Sequence, residues 1–163
     1  MHKQQIVVAE LEAAFRRVEP PPSIEPNGRS YEAVRAANFF SGRHWQDVTL
    51  DLLQSDYPGD VSACLEFLAP EAGLYFLPAY LRICVVAYRA SDMLPYTLER
   101  QLSEKASTAT HFGRLTNFLA IDQRRAVANV LAFVHGQYEQ DFEESGAAIA
   151  LQNGWGRFLD QAA

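Results

Sequence analysis

The sequence predicts an all-α protein, a single compact helical domain over residues 1–163 that is built around a central apolar helix with a proline kink. Apolar residues recur at helical spacing along most of the chain. Residues 67–88 are almost unbroken in their apolar character, opened by a Pro-Glu pair and interrupted by Pro78 and Arg82. Strand signals are poor, since β-branched residues stand within helical periods. With 163 residues, 48% of them apolar, the chain can bury such a core without a disulfide.

The chain opens with an amphipathic segment over residues 3–18. Its apolar positions follow a helical period and are Val7, Leu11, Ala14, Phe15 and Val18. Pro20-Pro21-Pro22 ends this helix, because each ring fixes φ and removes a backbone donor. We therefore expect a stiff, extended linker at residues 19–29, followed by a helix that Ser30 caps and that ends near Gly42. The apolar face of this second helix is expected at Val34, Ala37 and Phe40 or their neighbours.

Two shorter helices are predicted next. The spacing of apolar residues predicts a helix from Arg43 to the turn at residues 57–60. Its apolar positions are Trp45, Val48, Leu52 and Leu53. Asp60 is then expected to cap a short helix that runs through Leu65 and Leu68.

The central helix is predicted to start at Pro70, where the missing N–H costs nothing, and the helix dipole favours Glu71 in its first turn. Pro78 removes one backbone hydrogen bond, so we expect it to kink the helix rather than to end it. Apolar residues lie on nearly every face, which is typical of a helix covered on several sides. Arg82 and Arg89 share one side. We expect them to reach the surface at a seam of the packing, the alternative being pairs with buried carboxylates.

The sequence of the C-terminal half predicts three further helices. A capped segment over residues 91–102 precedes a polar loop at 103–110. A long helix with an apolar stripe is predicted over 122–138, and a weaker one over 147–151. Trp155, which stands between two glycines, is expected to pack back on the body of the domain.

The charge distribution excludes one class of partner and favours another. A net charge of −6 and an isoelectric point near 5.2 oppose the basic footprint of a nucleic-acid-binding protein. Acidic residues concentrate in two tracts without Lys or Arg, which can face a basic partner; the alternative is that each is a solvated helix face or turn. The residues expected to bind a partner are Glu139, Asp141, Glu143, Glu144, Asp47, Asp51 and Asp56.

Cysteine usage and hydropathy favour a cytoplasmic protein without a membrane helix. Cys64 and Cys84 stand among apolar neighbours and lack the C-x-x-C spacing, so we expect two buried free thiols. No basic segment precedes an apolar core at the amino terminus. The longest apolar run, residues 74–88, is shorter than the roughly 20 residues that a membrane span needs. The oligomeric state is left open.

No group of residues specifies a metal site. His44, Asp47 and Asp51 can share a helix face, since residues at i, i+3 and i+7 are neighbours there. They lack a fourth ligand at a motif spacing, however, and a solvated helix face needs no special arrangement. We therefore expect no bound metal and no other cofactor.

Signals for catalysis are equally sparse, and we assign no catalytic residue. His111 and His135 have no nucleophile and acid beside them in a recognised order. Glu66 and Glu71 can form a carboxylate pair of the kind that glycosidases use. The tyrosines near the central helix can line a ligand pocket, but aromatic residues at helical spacing are more often core. These tyrosines are Tyr75, Tyr80, Tyr88 and Tyr96.

Three motifs stand close together in the chain: Phe40-Ser-Gly-Arg-His-Trp45, Phe67-Leu-Ala-Pro-Glu-Ala72 and Tyr75-Phe-Leu-Pro-Ala-Tyr-Leu81. Their combination resembles an uncharacterised family of small bacterial proteins, in which a tryptophan motif is followed by FL-x-PEA and YxLPAYL. The resemblance covers residues 35–135. It implies homology without catalytic residues, since the motifs are structural in character, and it implies an association with toxin and immunity genes.

The leading functional hypothesis is a non-enzymatic protein-binding module, an immunity protein that neutralises a toxin by direct binding. An acidic surface would speed the encounter with a basic toxin. One alternative is a small enzyme with an acidic cleft that uses His44, Asp47, Glu66 or Glu71; another is a regulatory or scaffolding protein. A toxin gene beside this one favours the first hypothesis, whereas a bound metal or a deep polar pocket favours the enzyme.

Overall fold

The computed structural model describes residues 2–103, 114–138 and 145–159. Within these ranges the chain forms seven α-helices and several short 3-10 helices, with no β-sheet. The prediction of an all-α fold is therefore confirmed. In chain order the helices are α1 (Lys3–Phe15), α2 (Tyr31–Phe40), α3 (Leu50–Asp56), α4 (Pro70–Val86), α5 (Leu94–Ser103), α6 (Ile121–Tyr138) and α7 (Gly146–Gln152).

Helix α4 lies at the centre of the core. From Ala72 to Val85 all its residues are buried except Leu74 and Arg82, which are half-buried. This burial arises because α1, α5 and α6 all pack against α4, while α1 runs along α6, and α7 packs on both α5 and α6. The helix continues through Pro78 without a break, so the prediction of one element rather than two is confirmed. Nearly all buried apolar side chains of the described residues belong to a single cluster.

Residues 43–57 do not form the single helix that their spacing predicts. Trp45–Asp47 form a 3-10 turn, and α3 starts only after Thr49, whose side chain accepts a hydrogen bond from the backbone N–H of Leu52 at 3.2 Å. The cause lies in α4: Nη2 of Arg82 binds the carbonyl oxygens of Gln46 and Val48, which a continuous helix would use internally. Arg82 thus binds backbone rather than a buried carboxylate, whereas Arg89 is exposed, as expected.

Two other local predictions are wrong in detail. The segment after Asp60 forms a 3-10 helix, Cys64–Phe67, and the Asp60 carboxylate accepts bonds from the backbone N–H and the hydroxyl of Ser62. In α2 the predicted N-cap Ser30 is confirmed, but Val34 is exposed, and the helix buries alanines on its inner face. The buried residues of α2 are Ala33, Ala36, Ala37 and Phe40.

Residues 19–29, here called the proline strap, contain no helix and are tied to the chain before α4. The backbone N–H of Asn27 donates to the carbonyl of Phe67 at 2.7 Å, and that of Ala69 donates to the carbonyl of Glu25 at 2.8 Å. The side-chain amide of Asn27 adds a bond to the carbonyl of Glu66. The strap is therefore held across the domain between α1 and α2.

The C-terminal elements follow the predictions closely. The Nε1 atom of Trp155 donates to the carbonyl of Leu102 at 3.0 Å, so its predicted packing against the body is confirmed. Ser103 ends α5, while the remainder of the predicted loop at 103–110 lies outside the described residues. Cys64 and Cys84 are buried and form no disulfide, as predicted. None of the described helices combines the length and the apolar character that crossing a membrane requires.

Candidate partner-binding site

The acidic residues predicted to bind a partner fall into two groups. Asp47, in the 3-10 turn before α3, and Asp51 and Asp56, on α3 itself, are all exposed. Neither the ion pair Arg82–Glu12 nor the pair Arg100–Glu66 uses any of the three. The second group, consisting of Glu139, Asp141, Glu143 and Glu144, lies outside the described residues.

A cavity of about 320 Å³ opens between the end of α1, the proline strap, the first half of α4 and the chain that leads into α6. We call it the acidic pocket, because two carboxylates line it. Its apolar lining consists of Phe15, Val18, Pro21, Leu74, Phe118 and Leu119, and its polar lining consists of Glu19, Glu71, Tyr75 and Gln123.

The two glutamates reach the pocket from different elements. The chain closes a last turn at the end of α1, where the N–H of Val18 donates to the carbonyl of Phe15, and Glu19 follows directly. The next residue, Pro20, cannot extend the helix, so the chain turns into the strap. Glu71 stands in the first turn of α4, where a carboxylate interacts favourably with the helix dipole. Both side chains belong to exposed residues and can meet a ligand from solvent.

Tyr75 forms the buried polar end of the pocket and is 3% exposed. Its hydroxyl lies 3.2 Å from Nδ1 of His44. Burial raises the pKa of Tyr75, and the carboxylates of Asp47 and Glu19 raise it further. The phenol is therefore protonated at neutral pH.

The pocket thus gathers two carboxylates, Glu19 and Glu71, from separate parts of the chain. Among the described residues that line it there is no Lys, Arg or His. Asp47, Asp51 and Asp56, which are predicted to bind a partner, lie outside the lining, whereas Glu19 lines the pocket and was not predicted to bind a partner. Sequence reasoning placed Glu19 in a linker. Carboxylates beside an apolar floor, with no Lys, Arg or His among the described lining residues, favour a cationic ligand.

The comparisons place the chain in a family. Residues 24–158 match the model of a family of unknown function, DUF6714. The chain belongs to this family. The prediction of an uncharacterised family is thereby confirmed, and the match extends beyond the predicted 35–135. No curated protein and no solved structure matches the chain.

In this DUF6714 chain the other residues considered for chemistry have structural neighbours. In the part of the chain that is described, no three His, Cys, Asp or Glu side chains are grouped so as to hold a metal. Glu66 pairs with Arg100 at 3.5 Å, while Glu71 lines the pocket, so the two glutamates have different surroundings. Nδ1 of His135 lies 2.9 Å from Oγ of Ser145, the N-cap of α7. His111 lies outside the described residues.

The tyrosines predicted as core differ in how deeply they are buried. Tyr75 and Tyr80 are buried in α4, and Tyr88 is half-buried and stacks on Tyr138 with the ring centroids 4.6 Å apart. Tyr96 is 59% exposed, so its prediction was wrong. It lies on α5, whose buried face is formed by residues such as Leu94 and Leu98, and the period of that helix points Tyr96 outward.

Proposed function

We propose that this protein is a non-enzymatic protein-binding module of the cytoplasm and that its partner presents a basic surface. In its specific form the proposal is an immunity protein that neutralises a basic bacterial toxin by direct binding. The observation that carries the proposal is the acidic pocket, in which Glu19 and Glu71 stand beside an apolar floor and the described lining includes no Lys, Arg or His.

Electrostatics support a protein partner of opposite charge. The net charge of −6 attracts a basic protein at long range, and complementary charge at an interface raises the association rate and suppresses wrong partners. Asp47, Asp51 and Asp56 add exposed negative charge on α3 and on the turn before it. Exposed charges of this kind are screened beyond about 8 Å at physiological salt, so the effect depends on ionic strength.

An exposed aromatic side chain at the pocket supports protein binding in particular. Phe118 is 78% exposed and lines the pocket, although it is large and apolar. Ile121, three residues further along, is also exposed. Protein interfaces concentrate their binding energy in aromatic anchors that are surrounded by polar residues. Phe118 beside Glu19 and Glu71 has this composition.

The test uses the protein encoded beside this gene, which the proposal expects to be a basic toxin. The two proteins are co-expressed in a bacterial host, where an immunity protein relieves growth arrest, and their association rate is measured by stopped flow at several salt concentrations. Glu71→Lys is compared with Glu32→Lys, because both glutamates are exposed and stand in the first turn of a helix. We expect Glu71→Lys to slow association at low salt about tenfold and Glu32→Lys to have a much smaller effect.

Two further reversals map the acidic surface. One replaces Asp47, Asp51 and Asp56 by lysine, and the other replaces Glu139, Asp141, Glu143 and Glu144. Circular dichroism checks that each variant is folded. An association rate that is indifferent to all of these reversals and to ionic strength would refute the proposal. The enzyme alternative draws on the hydrogen bond between His44 and Tyr75, and it predicts turnover that Tyr75→Phe abolishes while partner binding is retained.

A further inference from the structure

We infer that the acidic pocket receives the side chain of an arginine of the partner protein, with its methylene stem on the apolar floor and its guanidinium between Glu19, Glu71 and the ring of Phe118. The inference rests on the proposed function, since it assumes a basic protein partner. It goes further, because it names the group that enters the pocket.

The size and lining of the pocket suit a long side chain with a charged head. A volume of about 320 Å³ is at the lower end of the range for ligand pockets and exceeds what one side chain occupies. Phe15, which is almost completely buried, forms part of the floor together with Leu74 and Leu119. Arginine and lysine both pack their methylene stems on apolar surface of this kind while the charged head stays near solvent.

The carboxylates supply the partners for the charged head. Glu19 approaches from the end of α1 and Glu71 from the first turn of α4, so they converge on the pocket from two elements. A guanidinium carries five N–H donors in a planar fork and can bind two carboxylates at once. Neither glutamate takes part in the ion pairs Arg82–Glu12 and Arg100–Glu66.

Phe118 favours arginine over lysine. A guanidinium stacks on an aromatic face and is more weakly hydrated than an ammonium group, so it enters a partly apolar pocket at a smaller desolvation cost. The same pairing recurs within this chain, where the guanidinium of Arg43 lies 4.5 Å from the ring centre of Phe39 and that of Arg157 lies 4.8 Å from that of Phe158. The exposed ring of Phe118 offers this contact to a partner.

The test titrates the full chain with n-butylguanidinium, a probe for the end of an arginine side chain, and follows the backbone amides by NMR. We expect saturable binding with a dissociation constant of about 1 to 10 mM, as befits a probe of so few atoms. The shifts should centre on residues 15–21, 71–75 and 118–123. n-Butylammonium should bind more weakly by about threefold or more.

Matched variants tie the binding to the named side chains. Glu71→Gln and Phe118→Ala should each weaken n-butylguanidinium binding about threefold to tenfold. Glu32→Gln is the control for charge and Tyr31→Ala the control for an exposed aromatic residue, since Glu32 and Tyr31 are exposed on α2. All four substitutions are at exposed positions, and an amide spectrum unchanged outside the site checks the fold of each variant.

Three results would overturn the inference: no saturable binding, binding that the pocket variants leave unchanged, and n-butylammonium binding as tightly as n-butylguanidinium. These results are distinguishable from a failure of the proposed function. If Glu71→Lys slows association with the basic partner while the probe does not bind, the protein-binding function is supported and the arginine site is refuted. If the association rate is also unchanged by the charge reversals, both are refuted.

Discussion

Arg82 on α4 holds the backbone at Val48, because its Nη2 donates a hydrogen bond to the Val48 carbonyl oxygen at 3.0 Å. The same nitrogen binds the carbonyl of Gln46 at 2.8 Å, and Nη1 lies 3.5 Å from the carboxylate of Glu12 on α1. The guanidinium also lies over the ring of Trp45. One side chain thus joins α1, α4 and the turn that carries Asp47, and it fixes the backbone on both sides of Asp47.

Replacing Arg82 by alanine should lower the free energy of unfolding by about 1 to 3 kcal/mol, because it removes donors from partly buried carbonyl groups and a stem from the packing. Arg82→Met should recover only the part of this free energy that comes from packing of the aliphatic stem. Arg89→Ala, which alters an exposed arginine of the segment after α4, should stay within about 0.5 kcal/mol of the unmutated protein. Urea denaturation measures all three, and equal midpoints for Arg82→Ala and Arg89→Ala would contradict the prediction.

Truncating the centre of α4 should be costly. Leu77→Ala or Leu81→Ala should lower stability by about 2 to 5 kcal/mol, because both side chains are buried and a cavity would remain. Val86→Ala on the same helix is the control, since Val86 is exposed. A loss below about 0.5 kcal/mol at both leucines would show that α4 is peripheral.

Stability should decline in alkaline solution partly through Cys64. Burial raises the pKa of this thiol from 9.0 to about 11. Between these two pH values the thiol is deprotonated in the unfolded chain but still protonated in the folded chain. The stabilising contribution of the protonated thiol is therefore fully present below pH 9 and is lost as the pH rises to 11. At pH 10 the loss amounts to about 1 kcal/mol.

The variant Cys64→Ala isolates this effect. It should be less stable than the unmutated protein at pH 7, because it opens a cavity, yet its stability should fall less between pH 8 and pH 10. Chemical denaturation at several pH values measures the difference. Parallel curves for the two proteins would show that Cys64 does not titrate in this way.

Two glycine substitutions should have opposite signs. Gly136→Ala should stabilise the protein by about 0.4 to 1 kcal/mol, since among the described residues only the helix's own backbone and its chain neighbours come within 4 Å of the added Cβ, and alanine reduces the entropy of the unfolded chain. Gly146→Ala should destabilise it by about 1 to 3 kcal/mol, because the added Cβ would lie 2.9 Å from Cβ of Glu99. Thermal unfolding compares them, and a stabilised Gly146→Ala would show that Glu99 can move aside.

Elements with strong local signals were predictable. Pro70 begins α4 and Ser30 caps α2, as predicted, since these residues act on the backbone of their own turn. The apolar character of α4 on every face likewise predicted its central position. The partner-binding role of Asp47 stays a prediction, because it rests on the distribution of charge in the sequence alone.

By itself the sequence determined the fold class, the central helix and the sign of the surface charge, because all of these depend on residue type and on spacing within one element. Only the tertiary structure decided that residues 43–57 break into a turn and a helix, since the cause is Arg82, 34 residues after Val48. It likewise brought Glu19 to Glu71 and Tyr75, because the proline strap is tied to the chain before α4. Contacts between distant segments follow from packing and long-range hydrogen bonds, which no local period records.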